Sequence, residues 1–246
     1  MPDQDRLTRE RDFHDDAFAT GARRSTAKYY ATARRSYAHY HDVVLTGAGG
    51  RNVLEYGCGT GSIAFILAAA GDRVTGIDIS PVAIEMAAAE AARRQLRDIR
   101  FEVMNAERLE FPDSSLDLVC GSAVLHHLDL ERAGAEIRRV LKPGGRLVFF
   151  EPLGHNPLIN WYRRRTPHLR TVDEHPLRME ELRKFASGFK SIDLRYFHIT
   201  SLGAAALEGR PGFRGVLNTA DALDRLLLAI PPLRRYAWIV VLSLRT

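Results

Sequence analysis

Cysteine is scarce, with Cys58 and Cys120 the only two in 246 residues. Both fall in segments that read as buried or beside a glycine-rich turn, so two reduced thiols are expected rather than a disulfide framework. No cysteine or histidine spacing fits a zinc site, and no metal is expected. No run of about 18 apolar residues occurs, which excludes a membrane-spanning helix by length. The N-terminal Met1-Pro2-Asp3-Gln4-Asp5-Arg6 carries acids and lacks the apolar centre of a signal peptide, so a cytoplasmic location is expected. There is no internal repeat, and no low-complexity segment beyond alanine-rich stretches, which sets aside repeat architectures. With 46% hydrophobic and 26% charged residues, the composition is that of a globular chain able to bury a sizeable core. The length fits one α/β domain, 1–246, better than two equal ones.

Net charge is +5, but it is spread unevenly. Residues 52–160 hold 11 basic and 15 acidic side chains, whereas residues 161–235 hold 14 basic and 8 acidic. Such an excess can draw in an anionic substrate, nucleic acid or a membrane surface, or it can be a solvated arginine-rich face.

Residues 1–50 read as a polar helical cap, with Tyr29, Tyr30, Tyr37 and Tyr40 on a helical stripe, ended by Thr46-Gly47-Ala48-Gly49-Gly50. Strands then alternate with helices. Asn52–Tyr56, Arg73–Ile77, Ile99–Met104, Leu116–Cys120 and Arg146–Phe150 read as strands. Ser62–Ala70, the segment from Ser80-Pro81 to Leu96, and Leu130–Leu141 read as helices. Ser80 is an N-cap and Pro81 a first-turn proline, and Pro143-Gly144-Gly145 stops the last of these helices. This alternation predicts a parallel sheet with helices on both faces. The tail adds a helix at Arg178–Ser187, a strand at Lys190–Ile199, a mixed helical stretch over Ser201–Leu233 and a last apolar strand at Tyr236–Leu244.

The segment Val53-Leu54-Glu55-Tyr56-Gly57-Cys58-Gly59-Thr60-Gly61 carries the chemistry. Three glycines leave a strand and enter a helix, where they permit a sharp turn and a close ligand, and the helix N-terminus offers unpaired amides. A dinucleotide fingerprint would need glycine or alanine where Ser62 stands. Glu55 would repel a pyrophosphate and favour an ammonium or sulfonium, and S-adenosylmethionine carries both. Asp78, 21 residues after Gly57 at the end of the second strand, can accept both hydroxyls of a ribose.

With these residues in order, the sequence resembles the class I S-adenosylmethionine-dependent methyltransferases, in particular the small-molecule group called methyltransferase type 11. Five segments carry the resemblance across residues 50–152: Val53–Gly61, Gly76–Ser80, Asn105–Asp117, Ser122–Leu128 and Arg139–Glu151. The resemblance implies a Rossmann-like, mostly parallel seven-stranded sheet in the order 3-2-1-4-5-7-6 with strand 7 antiparallel and a helical insertion before it. It divides the chain into a cap (1–50), a cofactor-binding core (51–152), acceptor-side loops with strand 6 and a helical lid (153–235), and the last strand (236–246). It also implies that Glu55, Gly57, Cys58, Gly59 and Gly61 flank the methionine moiety, Asp78 holds the ribose and Ile79 packs on the adenine. Asn105, Ala106 and Glu107 meet the adenine side, Ser122 and Ala123 lie near the methyl donor, and Tyr30 reaches over from the cap. Asn105 stands where the family usually has Asp; its side-chain oxygen can still accept from the adenine amino group, with less charge assistance.

Methyl transfer from a sulfonium depends mainly on positioning, and a base is needed only if the acceptor must lose a proton. The candidate bases are His126, His127, Glu151, His155 and His175. His127 can also serve only to orient its loop. Asp173 and Glu174 can touch substrate or pair with Arg163–Arg165 and Arg170 to pin a lid. The expected acceptor is a small molecule, anionic if the basic tail serves it, lipophilic if Leu226-Leu227-Leu228 and Leu233 cover it. Two alternatives remain: a tRNA or protein methyltransferase, which the lack of an Asn/Asp-Pro-Pro-aromatic motif after strand 4 disfavours, and a cofactor-binding protein with other chemistry such as cyclisation. The sequence leaves the oligomeric state open.

Overall fold

The computed structural model describes residues 2–20, 31–167, 171 and 174–246. Seven strands form one sheet: β1 Asn52–Tyr56, β2 Arg73–Asp78, β3 Ile99–Val103, β4 Leu116–Ser122, β5 Leu141–Pro152, β6 Ser191–Phe197 and β7 Ile239–Arg245. Their order is β3-β2-β1-β4-β5-β7-β6. The pairs from β3 to β5 are parallel, and β7 runs antiparallel to both β5 and β6. The chain steps outward from β1 to β2 and β3, then returns to β4 on the other side of β1. That reversal opens a crevice beyond the carboxyl ends of β1 and β4.

Both faces of the sheet are buried, and the pleat sorts side chains between them. On one face Leu54, Tyr56, Val119, Leu147, Phe149 and Val240 form a core with Ile137 and Phe185. On the other, Val53, Leu118, Val148, Phe150 and Val241 pack with Tyr40, Val44, Ile63 and Leu67. The helices supplying those residues are α2 Arg34–Leu45, α3 Ile63–Ala69, α5 Leu130–Val140 and α7 Met179–Ala186. Helix α4, Pro81–Arg93, begins as the sequence indicates, with the Ser80 hydroxyl accepting from Ala83 N at 3.1 Å. Helix α6, Pro157–Arg165, is capped by Asn156, which accepts from Leu158 N and Ile159 N.

Two strand starts differ from expectation by three residues or more. Strand β5 starts at Leu141 instead of Arg146, because Leu141 already pairs with Leu116 and a bulge absorbs the turn residues before Arg146. Strand β7 starts at Ile239, because the Pro231–Tyr236 stretch closes into a 3-10 helix. The stretch Ser201–Leu233 is mixed and helical as expected, with a 3-10 turn at Ser201–Leu207 and helix α8, Phe213–Ala229, ending before Pro231-Pro232. It packs on β6 at the sheet edge.

The crevice is crossed by α1, Pro2–Thr20. Arg6 Nη2 holds both oxygens of Glu107 at 2.6 and 2.7 Å, and its Nη1 donates to His127 O at 3.0 Å. Farther along α1, the Ser80 hydroxyl bonds the Asp15 carboxylate. These contacts tie the helix to the segments after β2, β3 and β4. Charge-assisted hydrogen bonds contribute about 1.5–3 kcal/mol each, so Arg6→Ala is expected to raise the local opening of α1. Amide exchange over residues 2–20 should quicken by about tenfold or more; exchange at the wild-type rate would show that the helix is held by other contacts.

Candidate active site

Under α1 lies a cavity of about 160 Å³. Its floor is Gly57, Ile77, Asp78 and Ile79, one wall is Met104, Asn105 and Ala106, and another is Ser122, Ala123, Val124, His127 and Leu128. The roof is Arg6, Leu7, Glu10, His14 and Phe18 of α1. Gly57 has φ +56, and a Cβ there would meet Val124 Cγ2 at 2.7 Å. The glycine therefore lets the two loops close on each other at the cavity floor. Ala123 also adopts a left-handed backbone, φ +55, held by its N–H donating to Phe150 O at 2.7 Å.

Asp78 ends β2 and faces the cavity. Its Oδ2 accepts from Gly59 N and its Oδ1 from Ser80 N, both at 2.9 Å. One carboxylate thus fixes the glycine loop and the start of α4, with lone pairs left for a ligand. Asn105 Oδ1 accepts from Glu107 N at 2.9 Å, which shapes the turn after β3.

Glu55 is 1% exposed and stands behind the loop, outside the cavity wall. Ser62 Oγ bonds its Oε1 at 2.5 Å, and Ala64 N donates to its Oε2 at 2.9 Å. The carboxyl group caps the first turn of α3, where unpaired amides need an acceptor. Burial pushes its pKa up to about 7, against the pull of Ser62 and the α3 amides. Cys58, Gly59 and Gly61 likewise shape the loop without lining the cavity, and burial pushes the Cys58 thiol up from its ordinary value.

Several expected site residues are engaged elsewhere. Glu107 is clamped by Arg6 and accepts from Asp129 N at 2.8 Å, so it is a tie for α1 and does not line the cavity. Glu151 is fully buried, with Oε1 accepting from Val124 N and Leu125 N and Oε2 on His126 Nδ1, each at 2.8 Å. It caps the 3-10 turn Leu125–His127 and fixes the ring of His126. Neither side chain lines the cavity, so both hold the loop that presents His127. His155 Nε2 accepts from Met179 N at 3.3 Å, at the start of α7. His175 sits 3.6 Å from Glu181, with a side chain 55% exposed. Neither of these two histidines lines the cavity either. Arg163 pairs with Glu174 at 2.8 Å, as the lid reading expects. Tyr29, Tyr30, Arg170 and Asp173 lie outside the described residues.

His127 faces the cavity, and there it meets two residues of α1 that sequence reasoning missed. Its Nδ1 lies 3.0 Å from Glu10 Oε2, which is also 3.6 Å from His14 Nε2. The His14 and His127 rings meet edge to face at 5.3 Å. Burial, with His126 alongside, pushes His127 down to about 4. For Glu10 burial acts upward, but the two imidazoles and the Thr171 hydroxyl outweigh it and hold the carboxyl below its usual range. The i, i+4 spacing of Glu10 and His14 on a predicted helix was the available signal.

Comparison with known proteins identifies the family. A family model described as a methyltransferase domain matches residues 54–149. Demethylmenaquinone methyltransferase of Symbiobacterium thermophilum is 31% identical over 192 residues, covering 65% of this chain and 75% of that protein. The chain belongs to the class I S-adenosylmethionine-dependent methyltransferases. Aklanonic acid methyltransferase of a Streptomyces species is 44% identical over 108 residues, covering 42% of this chain and 49% of its own. The chain spans about half the length of that and other curated relatives it matches. The crystal structure of the cyclase SpnF superposes with a TM-score of 0.59 at 23% identity, covering 85% of this chain and 80% of that one. That likeness shows the fold alone.

Proposed function

We propose that this chain binds S-adenosylmethionine in the cavity under α1 and transfers its methyl group to an O, N or S nucleophile of a small molecule. The observation that carries this reading is the convergence of Asp78, Asn105-Ala106, Gly57 and Ser122-Ala123 on one cavity beyond β1 and β4. Asp78 offers a carboxylate to a ribose, Ile79 an apolar surface to a purine, and Asn105 with Ala106 hydrogen-bonding groups to its edge. Gly57, Ser122 and Ala123 leave room for the methionine part. Glu55, Cys58, Gly59 and Gly61 act from behind by fixing the loop.

The acceptor side is mainly apolar. Leu7, Phe18, Val124 and Leu128 line it, and Arg6, the one lysine or arginine lining it among the described residues, is taken by Glu107. Among the described residues, none of the basic side chains of 161–235 lines this cavity. The chemistry therefore fits an acceptor with an apolar body and one heteroatom, which Glu10, His14 and His127 meet. The chain contributes position, the exclusion of water by α1, and a polar cluster at the nucleophile.

Incubation with labelled S-adenosylmethionine and a panel of small phenols, amines and thiols is expected to yield S-adenosylhomocysteine. In His127→Ala turnover should fall by roughly 10²–10⁴-fold if the acceptor must lose a proton, while cofactor affinity stays within a few fold. Tight cofactor binding with no demethylated product across the panel would instead favour a non-transferase use of the cofactor.

A further inference from the structure

Glu10, His14 and His127 place one carboxylate oxygen and two imidazole nitrogens within 4.8 Å of one another. All three residues line the cavity. Glu10 Oε2 and His127 Nδ1 are buried and lack a hydrogen-bond partner among the described residues, although they lie 3.0 Å apart. Neither atom is taken up by another group among the described residues, so both remain available to a cation. Leaving buried polar atoms unpaired is costly, and a cation between them removes that cost.

We infer that Glu10, His14 and His127 form a binding site for a divalent transition-metal ion, open on the side of the cavity. Two imidazoles and a carboxylate make the donor set of zinc and similar ions, with bonds of about 2.0–2.2 Å. At that bond length, separations of 3.0 and 3.6 Å correspond to angles at the metal of about 90° and 120°. The donors are supported from behind. The Thr171 hydroxyl bonds Glu10 Oε1, leaving Oε2 to face inward, and Arg6 holds the backbone of His127. Such outer contacts orient metal ligands.

Two other clusters do not compete. His126, His127 and Glu174 are also close together, but His126 Nδ1 is bound to Glu151 and Glu174 is paired with Arg163. His198 has both ring nitrogens within hydrogen-bond distance of Ser36 and Ser201, and Asp224 accepts from Ile199, Thr200 and Ser201.

Three protein donors leave a zinc-type ion a fourth position, here facing the acceptor side. A cation there lowers the pKa of an oxygen ligand, which narrows the acceptor to a molecule presenting a hydroxyl or enol oxygen. That narrowing rests on the methyltransferase reading, while the metal site rests on its own geometry.

The test is calorimetry on metal-free full-length protein titrated with zinc chloride, beside a titration with S-adenosylhomocysteine. One equivalent of zinc is expected to bind with a Kd below about 10 µM. Glu10→Gln and His14→Ala should each weaken it by at least about tenfold while keeping the wild-type circular dichroism and melting temperature. Cobalt(II) in place of zinc should give ligand-field absorption that both variants lose. Absence of zinc binding at 100-fold above that concentration overturns the site, as does zinc binding that both variants leave unchanged. If S-adenosylhomocysteine binds and zinc does not, the metal site fails and the methyltransferase reading stands. If zinc binds as expected and S-adenosylhomocysteine does not, the reading fails and the metal site stands.

Discussion

Asp78→Ala is expected to weaken S-adenosylhomocysteine binding by at least about 100-fold. The carboxylate sits at the carboxyl end of β2 and lines the cavity, where it can accept two hydroxyls of a ribose. Hydrogen bonds to a charged group contribute about 1.5–3 kcal/mol each, so losing two costs about 3–6 kcal/mol. The substitution has a second consequence, because Asp78 also receives the amides of Gly59 and Ser80. Without it the glycine loop loses its tie to β2. Asp78→Asn separates the two effects: its side-chain oxygen can keep one amide contact while charge assistance to the ligand is lost. Its affinity should fall between those of wild type and the alanine variant, with a melting temperature close to wild type. Titration calorimetry reads all three. Unchanged affinity in the alanine variant would remove Asp78 from the site.

The second large effect concerns stability. Glu55 has a folded pKa of about 7 against an ordinary 4.5, chiefly through burial. Its folded value is raised, so the native state binds a proton there that the unfolded chain releases between pH 4.5 and 7. The stability this contributes is full below pH 4.5 and is lost as pH rises through about 7, a change of about 3 kcal/mol. Glu55→Gln does not titrate. The difference in unfolding free energy between wild type and the variant, from urea melts, should therefore turn against wild type by about 3 kcal/mol between pH 4.5 and 8. A difference that stays flat with pH would show that the Ser62 and Ala64 contacts hold the carboxylate ionised.

Much of this architecture was legible in the chain. The alternation of strand and helix, the Ser80-Pro81 start of α4 and the glycine loop depend on local periodicity and backbone chemistry, and they stand within a few residues of expectation. Strand β5 was read short because Lys142-Pro143-Gly144-Gly145 signals a turn, whereas pairing of Leu141 with Leu116 across a bulge is a tertiary fact. Asp78, Asn105, Ala106, Ser122 and Ala123 reach the cavity because each ends or closely follows a strand, which sequence can locate. Glu107 and Glu151 were read as site groups for the same reason, yet their partners, Arg6 in one case and the Val124–His126 loop in the other, lie far off in sequence. The sequence places the acceptor side in residues 151–235. That α1 also lines the cavity is a tertiary fact, because nothing local in a polar helix says which surface it crosses.

On the proposed function, the cavity under α1 takes S-adenosylmethionine. Equilibrium dialysis of methyl-labelled S-adenosylmethionine against the full chain tests it most directly. The expected result is saturable binding at a single site, with a Kd below about 100 µM, displaced by S-adenosylhomocysteine and lost in Asp78→Ala. Absence of saturable binding up to about 1 mM cofactor, in protein whose circular dichroism shows it folded, would contradict it.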